Sequence, residues 1–170
     1  MSLFSKLVLG ASLVALTVVV VGAAFVVASC KTTPSGKAFA ADGSERDPSQ
    51  ILAVGDVAPD FEAKDQNGQT VRLADFKGQK SVVMIFYPMN ETPGCTAQLC
   101  AARDAFAQYQ EADAVVLGVN PADAASHKKF AEAQNYQFPL LADTEGTIVR
   151  NYGTRGLAGV VTRTVYVVGK

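Results

Sequence analysis

The stretch that decides the fold spans residues 81–104 and reads SVVMIFYPMNETPGCTAQLCAARD. Residues 81–87 are almost entirely apolar and rich in β-branched and aromatic side chains, which is typical of a strand buried on both faces. Pro88 ends that run, and a loop containing Pro93-Gly94 follows it. From Cys95 to about residue 110 the sequence becomes rich in alanine, with apolar residues at helical spacing. The stretch therefore predicts a buried strand leading into a helix that begins with a cysteine.

The sequence on either side of this stretch alternates between strand and helix patterns. Asn67-Gly68 lies between two short alternating runs and predicts a β-hairpin within residues 61–73. A helix is expected to start at Asn120-Pro121 and to run to about residue 134. Further strands are expected at 114–119, 139–141 and 164–168, and a short helix at 144–152. This order predicts an α/β domain with a central, mostly parallel sheet flanked by helices.

The N-terminal part of the chain has a different character from the rest. Residues 7–28 carry no charge and are long enough to cross a bilayer as a helix. Val27-Ala28-Ser29-Cys30 is similar to the bacterial lipobox, in which the cysteine is lipidated and becomes the new N-terminus. We therefore expect residues 1–30 to be a signal with lipidation at Cys30, or else an uncleaved transmembrane anchor. Residues 31–50 are expected to form a flexible tether, and residues 51–170 the folded domain.

Charge and composition exclude some classes of function. The formal net charge is −1, from 15 basic and 16 acidic residues. No basic stripe is present, so the sequence gives no indication of nucleic-acid binding. His127 is the only histidine, and a lone histidine on a helix is expected to be a partly buried structural residue. Asp143, Glu145 and Arg150 are expected to be ordinary solvated charges. We expect no cofactor and no metal site.

Three cysteines need an explanation, and two of them lie close together. Cys95 is expected in the first turn of a helix, where free backbone N–H groups and the helix dipole lower a thiol pKa. Cys100 has two further interpretations: it could be a small buried apolar residue, or it could form a redox dithiol with Cys95. The thioredoxin type of dithiol has two residues between its cysteines, whereas four lie between Cys95 and Cys100.

The residues around Cys95 resemble those of a known family. Pro88 to Cys95, PMNETPGC, matches the peroxiredoxin active-site pattern Pro-x-x-x-Thr-x-x-Cys at each fixed position. The longer stretch YPMNETPGCTAQLCAARD is similar to the bacterioferritin comigratory protein type, in which a second cysteine follows five residues after the first. GDVAPDF at 55–61, FPLLAD at 138–143 and TRT at 162–164 resemble other blocks of the family. The resemblance covers residues 54–170 and implies a thioredoxin-like fold.

The resemblance also implies a function, which is reduction of hydrogen peroxide and organic hydroperoxides by a thiol. Cys95 would attack the peroxide and become a sulfenic acid. Thr92 would orient the peroxide, Arg163 would hold the thiolate ionised, and Pro88 would shield the thiol from water. Cys100 would then form a disulfide with Cys95, and a thioredoxin-like protein would reduce it.

Helix geometry places a condition on that disulfide. Residues five apart in an α-helix have Cα atoms about 8.6 Å apart, whereas a disulfide needs them within about 7 Å. The start of the helix must therefore unwind before Cys95 and Cys100 can bond.

The chain departs from the family at its C-terminal end. The relatives' last strand and C-terminal helix have no counterpart after residue 170. We therefore expect the edge of the strand at 164–168 to be free. The chain is then expected either to be less stable than its relatives or to form a homodimer through that edge. Two alternative functions are a membrane-anchored thiol–disulfide exchange protein and an inactive remnant that only binds partners. The expected location is the cell membrane, with the domain on the extracytoplasmic side.

Overall fold

The structure, a computed structural model, describes residues 26–28, 47 and 50–170. Its strands are β1 (Val26–Ala28), β2 (Glu62–Asp65), β3 (Thr70–Arg72), β4 (Ser81–Phe86), β5 (Ala114–Asn120), β6 (Leu140–Ala142) and β7 (Thr164–Val168). Its α-helices are α1 (Pro93–Asp104), α2 (Phe106–Glu111), α3 (Ala124–Gln134) and α4 (Thr147–Asn151). Two short 3₁₀ turns, Leu73–Phe76 and Leu157–Gly159, complete the elements of this part of the chain.

The strands form one sheet in the order β1-β7-β4-β5-β6-β2-β3. Neighbours β4, β5 and β6 run parallel, as the strand–helix alternation predicts. β7 pairs antiparallel with β4, and the β2–β3 hairpin pairs antiparallel with β6 through β2. The sheet is thus mixed, with a parallel centre, and the thioredoxin-like α/β class is confirmed.

The apolar residues form two clusters of buried side chains. Alternate residues of β4 divide between them, because successive side chains of a strand point to opposite faces. Met84 and Phe86 belong to the first cluster, together with Tyr152 and Tyr166. Val83, Ile85 and Tyr87 belong to the second cluster, which also contains Cys95 and Leu99 of α1. The second cluster therefore fixes α1 against the end of β4.

Three details differ from the sequence expectations. The helix after Cys95 breaks at Ala105, so α1 and α2 are separate elements. α3 begins at Ala124 and not at Asn120-Pro121, because the Asp123 side chain accepts a hydrogen bond from the Ser126 N–H and caps the helix. Asp143 is buried, and its carboxylate accepts a hydrogen bond from the Val149 N–H. The expectation of a solvated Asp143 was therefore wrong.

The outer edge of β7 is occupied. β1 pairs with it in parallel, with Val26 opposite Tyr166 and Ala28 opposite Val168. The expectation of a free edge was therefore wrong, and with it the reason for a homodimer through that edge. Val26–Ala28 is a strand, although it ends the apolar run in which a transmembrane helix was expected.

The other N-terminal expectations lie largely outside the described residues, including Cys30, the lipobox serine and most of the tether. Within the part of the chain that the structure describes, no helix has the length and apolar character needed to cross a bilayer.

Candidate active site

Cys95 lies in the first turn of α1, which begins at Pro93. Proline suits this position because its fixed φ matches the helix and its missing N–H would have had no acceptor there. The next N–H groups of the turn also have no acceptor within the helix and point towards its N-terminal end. The Cys95 side chain is fully buried in the second apolar cluster. A small reactant at this point would meet the thiol and the helix N-terminus together.

Arg163 provides a positive charge beside the thiol. It lies in the segment leading into β7, and its Nη2 donates a hydrogen bond to Cys95 Sγ over 3.3 Å. The two residues are 68 positions apart in the sequence, and the antiparallel pairing of β7 with β4 brings them together. Phe86, the last residue of β4, lies opposite Thr164, which follows Arg163.

Thr92 is the residue that precedes α1, but its side chain does not cap the helix. Its hydroxyl oxygen lies 3.4 Å from the Met89 carbonyl oxygen and also beside the Cys95 sulfur, so its one proton can be donated to either acceptor. Pro88 follows Tyr87 after the end of β4 and is half-buried. The structure thus places Thr92 and Arg163 at Cys95, and Pro88 at the start of the loop that carries Thr92.

Opposing effects set the pKa of Cys95. Burial of the thiol raises the pKa, because an apolar environment disfavours the thiolate. Hydrogen bonds from the Thr92 and Arg163 side chains, one involving the Met89 backbone, and the positive charge of Arg163 lower it. The pKa of Cys95 ends below its ordinary value. The site therefore favours the reactive thiolate.

Gly94 leaves room for the Arg163 guanidinium beside Cys95. A Cβ atom at residue 94 would lie 2.7 Å from Arg163 Nη2 and 3.2 Å from its Cζ. Any side chain at this position would push against the guanidinium. The sequence analysis treated Gly94 only as part of the loop before Cys95 and gave no sign of this steric requirement.

A partly buried polar network, which the sequence analysis missed, holds the loop before Cys95. Asn90 Oδ1 accepts hydrogen bonds from Tyr87 Oη at 3.0 Å and from Asn120 Nδ2 at 2.9 Å. Asn90 Nδ2 donates to Ser126 Oγ at 2.9 Å and lies 3.3 Å from His127 Nδ1. These contacts tie the loop to β5 and to α3. The sequence carries no local signal for them, because they join three elements distant in the chain.

His127 has a structural place in this network and is fully buried. Its Nε2 lies 3.1 Å from the Leu141 carbonyl oxygen, which can only accept, so Nε2 is the protonated nitrogen. Burial lowers the pKa of His127, so the ring is neutral near pH 7. The expectation of a structural histidine agrees with this environment, although the ring is buried completely and not partly. In the described part of the chain, no cluster of three or more His, Cys, Asp or Glu side chains could hold a metal ion.

Cys100 is half-buried on α1, one and a half turns beyond Cys95. Both cysteines have free thiols. Cys100 Sγ lies 3.7 Å from Gln134 Oε1 and 3.8 Å from Tyr136 Oη. Because α1 is intact from Pro93 to Asp104, the two cysteines are held in the helical arrangement that does not allow a disulfide.

Comparisons with known proteins identify the family of this chain. The family model described as "AhpC/TSA family" matches residues 54–170. Peroxiredoxin Q, chloroplastic, of Triticum aestivum is 48% identical over 102 residues, which are 60% of this chain and 46% of the relative. Peroxiredoxin Bcp of Bacillus subtilis is 46% identical over 94 residues, 55% of this chain and 59% of the relative. The matched region thus spans about half the length of the curated relatives.

A solved structure extends the likeness to three dimensions. The crystal structure of peroxidoxin BcpB from Mycobacterium tuberculosis superposes with a TM-score of 0.60 at 37% sequence identity. The superposition covers 65% of this chain and 74% of that one. The chain therefore belongs to the AhpC/TSA family and is a peroxiredoxin similar to the Q and Bcp proteins.

Proposed function

We propose that this chain is a thiol peroxidase that reduces hydrogen peroxide and organic hydroperoxides through Cys95. The observation that carries the proposal is the 3.3 Å contact between Arg163 Nη2 and Cys95 Sγ in the first turn of α1. This contact stabilises the negative charge of a thiolate at a buried position, where a charge is otherwise unfavourable. The family membership and the named relatives support the same reaction class.

The first step is an attack by the Cys95 thiolate on one oxygen of the peroxide. The S–O bond forms as the O–O bond breaks, so the sulfur is oxidised to a sulfenic acid and the peroxide is reduced to water or an alcohol. The departing oxygen takes up negative charge and then a proton. Arg163 and the free N–H groups of the first turn of α1 would stabilise that charge, and Thr92 would orient the incoming peroxide.

The second step forms a disulfide between Cys95 and Cys100. The Cys100 sulfur attacks the sulfenic sulfur of Cys95, the S–O bond breaks, and water leaves with the proton of the thiol. A thioredoxin-like dithiol would then reduce the disulfide and return both cysteines to thiols. α1 has to open for this step, because its intact form keeps the two cysteines too far apart.

The groups around Cys95 favour peroxide reduction over thiol–disulfide exchange. The Arg163 guanidinium contacts the sulfur, and the Thr92 hydroxyl lies beside it, where it can orient a peroxide. Thiol–disulfide exchange needs no such hydroxyl. Peroxide reduction is therefore the function that this geometry supports better.

Single-turnover kinetics would test the proposal. One equivalent of hydrogen peroxide is added to the reduced chain, and loss of peroxide is followed together with the thiol count. Cys95→Ser should abolish peroxide consumption, whereas Cys100→Ser should complete one turnover and leave a sulfenic acid on Cys95 that a dimedone reagent traps. Full single-turnover activity in Cys95→Ser would contradict the assignment.

We further propose that the chain acts at the cell membrane, on its extracytoplasmic side, held through lipidated Cys30 or through an apolar helix. The support is the sequence of residues 1–30 alone. Either anchor would take residues 26–28 out of the sheet, because processing at Cys30 removes them and a membrane helix would include them. The β7 edge would then be free, and a homodimer could form through it. Mass analysis of the membrane fraction distinguishes the two anchors: a diacylglyceryl group on Cys30 supports the lipid, and an intact Met1 supports the helix.

A further inference from the structure

Cys100 has polar hydrogen-bond partners, which a small apolar residue would not need. Its sulfur faces two polar side chains, Gln134, the last residue of α3, and Tyr136, which lies in the segment between α3 and β6. The Gln134 amide oxygen can only accept a hydrogen bond, so it takes the thiol proton. The Tyr136 hydroxyl is then free to donate to the sulfur. Cys100 is thus held by one acceptor and one donor while α1 is folded.

We propose that Tyr136 is a positioning residue that latches Cys100 in the folded form of α1 and thereby limits how fast Cys100 reaches the oxidised Cys95. This inference rests on the proposed function, in which Cys100 forms the disulfide with Cys95. Tyr136 touches neither the peroxide nor Cys95, and it acts only through the Cys100 thiol.

Tyr136 is fixed independently of α1, as a latch requires. Its ring packs edge-on against Phe130 of α3, with centroids 5.2 Å apart, and stacks on Phe138 at 5.3 Å. The side chain is only 8% exposed. Burial and the contact with Cys100 raise the pKa of Tyr136, so its hydroxyl keeps its proton. The hydroxyl therefore stays in place when α1 opens, and its contact with Cys100 is lost.

A second contact joins the same two parts of the protein. Arg103 Nη1 of α1 donates to the Gln134 backbone carbonyl oxygen over 2.8 Å. It lies near the C-terminal end of α1, beyond the turns that have to unwind between Cys95 and Cys100. The later part of α1 can thus remain docked while the turns before Cys100 open, which confines the motion to the region that Tyr136 controls.

The latch would decide between two fates of the sulfenic acid. With Cys100 released, Cys95–SOH and the Cys100 thiol give the disulfide and water. With Cys100 still latched, a second peroxide molecule can oxidise Cys95–SOH to the sulfinic acid, releasing water or an alcohol. A slower release therefore makes the protein more sensitive to excess peroxide.

The test compares Tyr136→Phe with the parent chain, and Tyr109→Phe serves as the matched control. Tyr109 packs against the same apolar cluster. Its hydroxyl makes no hydrogen bond with any residue that the structure describes. Each full-length protein is mixed with hydrogen peroxide, quenched at set times and digested with trypsin. Residues 81–103 form one tryptic peptide that contains Cys95 and Cys100 but not Cys30. Its mass distinguishes the dithiol, the sulfenic acid, the disulfide and the sulfinic acid.

Tyr136→Phe should form the disulfide from the sulfenic acid about two to five times faster than the parent, the factor expected for one lost hydrogen bond. The fraction of sulfinic acid at high peroxide should fall to match, and Gln134→Met should shift both quantities in the same direction. Tyr109→Phe should behave as the parent chain.

Two failures can be told apart. If the parent chain consumes peroxide without forming the disulfide in peptide 81–103, the assigned role of Cys100 is wrong, and the latch falls with it. If the parent forms the disulfide but Tyr136→Phe forms it at the same rate or more slowly, only the latch is overturned.

Discussion

The guanidinium of Arg163 fits beside Cys95 because residue 94 has no side chain. In Gly94→Ala the new methyl group would displace the end of a flexible arginine, which leaves the fold intact but weakens the contact with sulfur. The pKa of Cys95 should then rise, since burial would be less opposed by hydrogen bonds and by positive charge. We expect the rate of sulfenic acid formation near pH 7 to fall, by up to about a hundredfold if the contact is lost completely.

The pH dependence of the rate of sulfenic acid formation shows in which direction the pKa of Cys95 has moved. A rate that depends on the thiolate rises with pH and levels off above the thiol pKa, so a raised pKa moves the whole curve to higher pH. Stopped-flow rates from pH 5 to 9 should show that shift for both Gly94→Ala and Arg163→Gln. The double variant should lose little more than Arg163→Gln alone, because both changes remove the same contact. Additive losses would show that Gly94 acts through something other than Arg163.

At the scale of single elements, the sequence predicted what depends on local pattern. The apolar run of β4, the turn at Asn67-Gly68 and the helix beginning near Cys95 all follow from neighbouring residues, and the structure contains each of them. The start of α3 was missed because the Asp123 cap outweighed the proline signal at Pro121. Tyr136 and Asn90 could not be found from sequence, since their partners lie on other elements.

Helix α1 contains a feature that should weaken it. Gln98 lies between the two cysteines, and its buried Oε1 has no hydrogen-bond partner among the residues that the structure describes. A buried acceptor of this kind costs about 1 kcal/mol or more, and unwinding would expose it to water. Gln98→Met keeps the length of the side chain and removes the acceptor. We expect it to raise the free energy of unfolding of the reduced protein by about 1 kcal/mol.

The same change should slow disulfide formation, because a more stable α1 opens less often. Urea denaturation and the peptide assay on residues 81–103 measure the two effects. Gln108→Met is the control, since Gln108 is exposed on α2 and its substitution should change neither quantity. A Gln98→Met variant with unchanged stability would mean that Oε1 finds a partner in solution.

At the scale of the whole molecule, β1 links the N-terminal region to Arg163, the positive charge beside Cys95. β1 pairs with β7, and β7 follows directly after Arg163. Residues 26–28 cannot be a strand in this sheet and part of a membrane helix at once, and cleavage before Cys30 would remove them. Pairing of residues 26–28 with β7 and their use in a membrane anchor therefore exclude each other.

Proline at two successive positions tests this pairing. Successive N–H groups of a strand point to opposite sides, so only one of Val26 and Val27 can donate to β7. Proline at that residue removes a hydrogen bond of the sheet, whereas proline at the other is tolerated on an edge strand. Of Val26→Pro and Val27→Pro, we expect one to lower the free energy of unfolding and the other to behave nearly as the parent, each serving as control for the other.

Hydrogen exchange of the full-length protein in mild detergent provides the second measurement. In the disruptive variant, those amides of residues 164–168 that face β1 should exchange faster, while those that face β4 keep their protection. Because the loosened strand begins beside Arg163, reaction of Cys95 with peroxide should also slow. If neither proline alters exchange in β7, residues 26–28 do not pair with it in solution, and the edge of the sheet is open to another chain.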